Sequence, residues 1–72
     1  MNGPATVTVV VNGEPRLLAA GVTVATFVAN LAGEAYGVAV ALNDQVVPRG
    51  TWPWTPLRDR DRVEVLTAVP GG

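Results

Sequence analysis

The sequence predicts an α+β domain, a mixed sheet of four to five strands packed on one α-helix in the order ββαβββ. Three observations carry this. Runs of β-branched residues alternate at the strand period. A single segment repeats its apolar residues at helical spacing. An Asn-Gly step stands where the first two strands must reverse. At 72 residues the chain makes one domain with a small core, read as residues 1–67 followed by a slim tail over 68–72.

Thr6-Val7-Thr8-Val9-Val10-Val11 reads as the first strand, with Val7, Val9 and Val11 on one face. Asn12-Gly13 is the hairpin signal, and the returning strand is read over Arg16 to Leu18, because Pro15 lacks an N–H and belongs at an edge or an irregular start. Leu18 is expected to join the inward set. Val24, Phe27, Val28 and Leu31 fall at i, i+3, i+4 and i+7, one apolar stripe. Thr23 is the N-cap residue and Gly33 the residue that ends the helix, which is therefore read over Val24 to Ala32. Nine residues are marginal alone, so this helix must pack on the sheet.

Val38-Ala39-Val40-Ala41-Leu42 is the next strand, with Val38, Val40 and Leu42 inward. Asn43-Asp44 turns it into a short return over Gln45 to Val47. Thr51 to Arg60 shows no clean period. Trp52 and Leu57 are expected to cover the open end of the core, with Trp54 evenly divided between a lid and an exposed contact. Asp59-Arg60-Asp61 is a polar turn, and Arg62 to Thr67 the last strand with Val63 and Val65 inward. A hairpin, a crossover helix and a strand returning beside the first make the β-grasp arrangement. A small SH3-like or OB-like barrel is the alternative, but it leaves the helix without a role.

Composition narrows the function. Apolar residues make up 49% of the chain and charged residues 15%, which argues against disorder. The net charge is −1 and all five basic residues are arginines that do not cluster with aromatics in a long basic face, so phosphate-driven nucleic-acid binding and anionic membranes have little support. Without Cys or His, thiol and imidazole catalysis and ordinary zinc sites are excluded. Nothing reads as an export signal or a membrane span, and a cytoplasmic location is the expectation. The six carboxylates fall in turns, at the helix end or on the solvent side of a strand, so no acid–base site or metal site is expected. The Asp59/Asp61 pair reads as a solvated turn rather than a cation site.

Two features remain. On the sheet face away from the helix, Val10, Ala39, Ala41 and Leu66 fall at the alternate positions, where a water-facing sheet is usually polar. They are read as a candidate partner-docking face. The second is Gly71-Gly72, preceded by Pro70. Glycines carry no side chain, so such an arm can thread a narrow channel and present the terminal carboxylate of Gly72. A carboxylate is a poor electrophile until it is activated, for instance as an acyl-adenylate. That chemistry needs a nucleotide-binding enzyme separate from this chain.

With these pieces in place the sequence resembles the sulfur carrier protein family of thiamine biosynthesis, a ubiquitin-like family. The resemblance rests on VNGEPR at Val11 to Arg16, GVTVATFVANL at Gly21 to Leu31, GVAVALNDQVVPR at Gly37 to Arg49, TPLRDRDRVEVLTAV at Thr55 to Val69, and the closing Gly-Gly. It implies a β-grasp fold and a carrier rather than an enzyme, with no bound cofactor. ATP and magnesium would be used by an E1-like adenylyltransferase that activates Gly72. A sulfur donor fed by a cysteine desulfurase would convert Gly72 to a thiocarboxylate, and thiazole synthase would consume the sulfur. Gly71 and Pro70 would belong to the threading arm, and Leu66 to the docking face.

Two positions depart from the family's habit. Arg60 stands where such sequences commonly carry Gly, and a left-handed backbone there would cost roughly 1 kcal/mol. Pro70 stands where Gln is common, which stiffens the arm and removes one N–H. Pro70 also brings the tail closer to the small subunit of molybdopterin synthase. The alternatives are a carrier for molybdopterin or cysteine biosynthesis, a ubiquitin-like protein modifier, and an interaction module with an inert tail.

Overall fold

The computed structural model describes residue 3 and residues 5–32 and 37–67. Five strands, β1 (Thr6–Val11), β2 (Glu14–Ala19), β3 (Val38–Leu42), β4 (Gln45–Val46) and β5 (Arg62–Thr67), form one mixed sheet. Among the described residues the single α-helix, α1 (Val24–Ala32), follows β2, and a 3₁₀ segment, Arg49–Trp54, follows β4.

The sheet order is β2-β1-β5-β3-β4. Only β1 and β5 run parallel; the other pairs are antiparallel. The strand beside β1 is thus the last in sequence, with β3 one place further out. This puts β5 at the centre, and its inward Val63 and Val65 are both buried.

Both hairpins are two-residue reversals with left-handed backbone at each central residue. Asn12 and Gly13 have φ of 49° and 86°, and Asn43 and Asp44 have 49° and 70°. This mirror-image turn matches the twist of the flanking strands, and Asn, Asp and Gly tolerate it best. The β1–β2 hairpin pairs Val11 with Glu14, so β2 begins two residues before the start expected from Pro15. Proline is accommodated because its nitrogen faces away from β1, on the open edge of the sheet.

The helix occupies the expected residues. Thr23 caps it, its Oγ1 accepting from the Thr26 N–H at 3.3 Å. Val24, Phe27 and Val28 are buried against Val7, Val9, Val11, Val38, Val40, Val63 and Val65. Each such side chain stabilises the fold by about 1.5–3 kcal/mol. Leu31, expected on the same stripe, is exposed, and Leu18 and Leu42 are only half-buried. Leu31 instead borders a groove between α1 and β2. The expected helix stop at Gly33 lies outside the described residues.

The end of the core is closed by the irregular segment. Trp52 is buried, and its indole N–H donates to the Val47 carbonyl at 2.9 Å. The Arg49 guanidinium sits 5.4 Å from the Trp52 ring centroid. Leu57 is buried, and its N–H donates to the Val22 carbonyl, while the Val24 N–H donates to the Thr55 carbonyl, both at 2.8 Å. These bonds tie the segment to the start of α1. Trp54, in contrast, is 80% exposed. Two residues beyond Trp52 and past Pro53, it is carried to the outside by the tight 3₁₀ turn.

Candidate functional site: the end of the central strand and the outer sheet face

Strand β5 brings the chain to Thr67, which pairs with Val38 of β3. Its other side is supported differently. β1 runs beside β5 only through Val11↔Val63 and then turns away. Beyond that point the Asn12 side chain takes over. The Val65 N–H donates to Asn12 Oδ1 at 2.9 Å, and Asn12 Nδ2 donates to the Val65 carbonyl at 3.2 Å. A side-chain amide here replaces a residue of the missing strand. The Asn12 N–H also donates to the Val63 carbonyl at 2.9 Å, so one residue makes the turn and clamps β5. Sequence reading found Asn12 as a turn residue; its second role depends on which strand lies alongside.

The register sorts the outer-face residues. Ala39 lies opposite Leu66, and Ala41 lies opposite Glu64 on one side and Val46 on the other. Leu66 is 69% exposed and Val46 78% exposed. Leu66, Ala39, Ala41 and Val46 therefore form one apolar patch beside the end of β5, bordered by Glu64. Val46 was not among the expected residues. The signal for it was the two-residue turn at Asn43-Asp44, which fixes Val46 opposite Ala41. Val10 shares the outer face but pairs with Arg62, four residues before Leu66 along β5. That is about 13 Å along the strand, with Arg62 and Glu64 intervening, so Val10 stands apart from the patch.

The carboxylates of the Asp59–Arg60–Asp61 turn are engaged by backbone N–H groups and the Asn43 amide. Asp59 Oδ1 accepts from the Thr8 N–H at 2.8 Å, and Asp61 Oδ2 from the Arg58 N–H at 2.7 Å. Asn43 Nδ2 donates to Asp61 Oδ1 at 3.0 Å, and the Arg62 N–H donates to Asn43 Oδ1 at 2.9 Å. Arg62 also pairs with Asp44 at 2.7 Å in an exposed ion pair. Arg60 has φ of 72°, the left-handed geometry anticipated at that position. Gly72, Gly71 and Pro70, together with the rest of the 68–72 tail, lie outside the described residues.

The family model described as "ThiS family" matches residues 9–72, which includes the closing Gly-Gly. This chain belongs to the ThiS family. The sulfur carrier protein ThiS of Thermus thermophilus is 43% identical over 61 residues, covering 85% of this chain and 94% of that one. The Escherichia coli sulfur carrier protein ThiS is 33% identical over 61 residues, covering 85% and 92%. The crystal structure of a thiamine biosynthesis protein (ThiS) from Geobacter metallireducens superposes with a TM-score of 0.77 at 32% identity, covering 90% of this chain and 99% of that one. A thiazole synthase of Paramagnetospirillum magneticum is 32% identical over 63 residues, where this chain spans 88% of its own length but 19% of that protein. The β-grasp expectation agrees with the five-stranded sheet, its single helix and the ThiS structure. Among the described residues, no helix is long and apolar enough to cross a membrane.

Proposed function

We propose that this ThiS-family chain is a sulfur carrier for thiazole formation in thiamine biosynthesis, acting as co-substrate rather than catalyst. One observation supports it above the others. The central strand ends at Thr67 beside an apolar patch, four residues before a Gly-Gly that lies within the family match. A strand held on both sides is a firm base for an arm that must enter another protein's active site.

In this reading an E1-like adenylyltransferase uses ATP and magnesium to convert the Gly72 carboxylate to an acyl-adenylate, releasing pyrophosphate. The persulfide of a sulfur donor fed by a cysteine desulfurase then attacks the acyl carbon and expels AMP, forming an acyl disulfide. A thiol reductant cleaves that S–S bond, leaving the thiocarboxylate on Gly72 and carrying the donor sulfur away in a new disulfide. Thiazole synthase takes the sulfur, and the Paramagnetospirillum thiazole synthase with its segment similar to this chain supports that partnership. Leu66, Ala39 and Ala41, joined by Val46, form the docking face. Gly71 and Pro70 enter the partner's channel, where glycine's lack of a side chain removes steric obstruction.

The test is intact mass after incubation with ATP, an activating enzyme and a sulfur source. The expected product gains the mass difference between sulfur and oxygen at its C-terminus and then supports thiazole formation. A chain lacking Gly72 is expected to fold normally and gain no sulfur. Full thiazole formation by the truncated chain would reject the proposal.

A further inference from the structure

Strand β2 is an edge of the sheet, and its free hydrogen-bonding groups can be assigned one by one. On β1, the Val10 N–H donates to the Asp61 carbonyl and the Asn12 N–H to the Val63 carbonyl, both toward the β5 side. Alternation turns the peptide groups of Val7, Val9 and Val11 toward β2, where the register sets them opposite Leu18, Arg16 and Glu14. Pro15, Leu17 and Ala19 therefore direct their backbone groups away from the sheet. Pro15 has no N–H, and the Ala19 carbonyl already accepts from the Val22 N–H at 3.2 Å. Among the described residues, the open groups are the Pro15 carbonyl, the Leu17 N–H and carbonyl, and the Ala19 N–H.

This set is complementary to itself. In an antiparallel pair centred on Leu17, each Leu17 N–H meets the Leu17 carbonyl of a second copy. Each Ala19 N–H meets a Pro15 carbonyl. The N–H that proline lacks would have faced the Ala19 carbonyl that is already used. Sliding the strands by two residues one way aims Leu17 N–H at that occupied carbonyl. Sliding them the other way leaves a Leu17 carbonyl facing proline's missing donor.

We propose that this edge pairs two copies of the chain about a two-fold axis through Leu17, extending the sheet across both. Leu17 is 69% exposed and lies on the outer face opposite Thr8, so the two leucines meet beside the axis. Both helices then lie on one face of the joined sheet, and the two β5 strands end in opposite directions. The patch around Leu66 stays open in each copy. The two Arg16 side chains lie diagonally across the axis, so repulsion weakens the pair and added salt strengthens it. The contact is small, and association is expected at about 1 mM.

Amide NMR of the full chain, from about 0.05 to about 5 mM, reads this directly. Concentration-dependent shifts are expected at Leu17 and Ala19, with sedimentation equilibrium showing a monomer–dimer transition that tightens with salt. Leu17→Lys is expected to weaken association by about tenfold or more. Leu17→Pro removes only an N–H directed away from β1 and is expected to weaken it likewise. If the proline variant does not fold, the lysine variant carries the test. A monomer at the highest concentration, shifts centred on Ala39, Val46 and Leu66, or unchanged association of Leu17→Lys would each overturn the proposal.

Discussion

The side chain of Asn12 satisfies both backbone groups of Val65, its carbonyl accepting at 2.9 Å and its NH₂ donating at 3.2 Å. The two residues are 53 positions apart, so this one amide joins the first hairpin to the last strand, β5. Asn12 also has φ of 49°. Few residues meet both demands. Asn12→Gly keeps the turn and loses the clamp, and is expected to cost about 1–2 kcal/mol. Asn12→Ala adds the left-handed penalty, for about 2–3 kcal/mol in total. Urea denaturation measures both, and amide exchange at Val65 should accelerate in each.

The two tryptophans should behave as opposites. Trp52 is buried and donates to the Val47 carbonyl, so Trp52→Ala is expected to cost about 3–5 kcal/mol. Trp52→Phe keeps most of the packing but removes the donor, for about 1–2 kcal/mol. Trp54→Ala should change stability by less than about 0.5 kcal/mol, because its side chain meets solvent. Thermal unfolding separates these cases. The fluorescence lost on removing Trp54 should be the red-shifted, readily quenched component.

Arg60 is held at φ of 72° in a turn whose neighbouring carboxylates are engaged by backbone N–H groups. Its contact with Asp59 is 3.9 Å and largely solvent-exposed, and so contributes little. Arg60→Gly relieves the left-handed strain at a smaller cost in unfolded-chain entropy. The expected gain is about 0.5–1 kcal/mol, or a Tm increase of about 2–6 °C. A lower Tm would mean that Arg60 contributes more than its exposure indicates.

Leu66→Glu tests the docking face separately from the fold. The side chain is exposed, and its partner Ala39 is small and exposed, so stability should move by less than about 0.5 kcal/mol. Adenylation by the activating enzyme should show KM raised about tenfold or more, consistent with losing an apolar contact and introducing a buried charge. Leu17→Lys, at the far edge of the sheet, should leave this KM unchanged.

Local physics made much of the fold legible. The β-branched run at Thr6 to Val11, the Asn-Gly reversal and the 3.6-residue stripe from Val24 all act within a few residues, and the observed elements coincide with them. The Gly-Gly at 71–72 is likewise read from the sequence alone, since it needs no neighbour to be recognised.

What only the tertiary structure decided are the features that depend on strand order. β5 is central because it joins β1 in parallel while pairing with β3, and no local pattern encodes that choice. From it follow the Asn12–Val65 clamp, the gathering of Leu66 with Ala39 and Val46, and the separation of Val10 from them. Pro15 shortened the strand expected from sequence because its missing N–H counts against pairing; on an edge that nitrogen faces outward and costs nothing. Leu31, read on the buried stripe but exposed, and Trp54, divided evenly between a lid and an exposed contact, were decided in the same way. A residue's period says which way it points, but the partner found there depends on contacts between segments far apart in the chain.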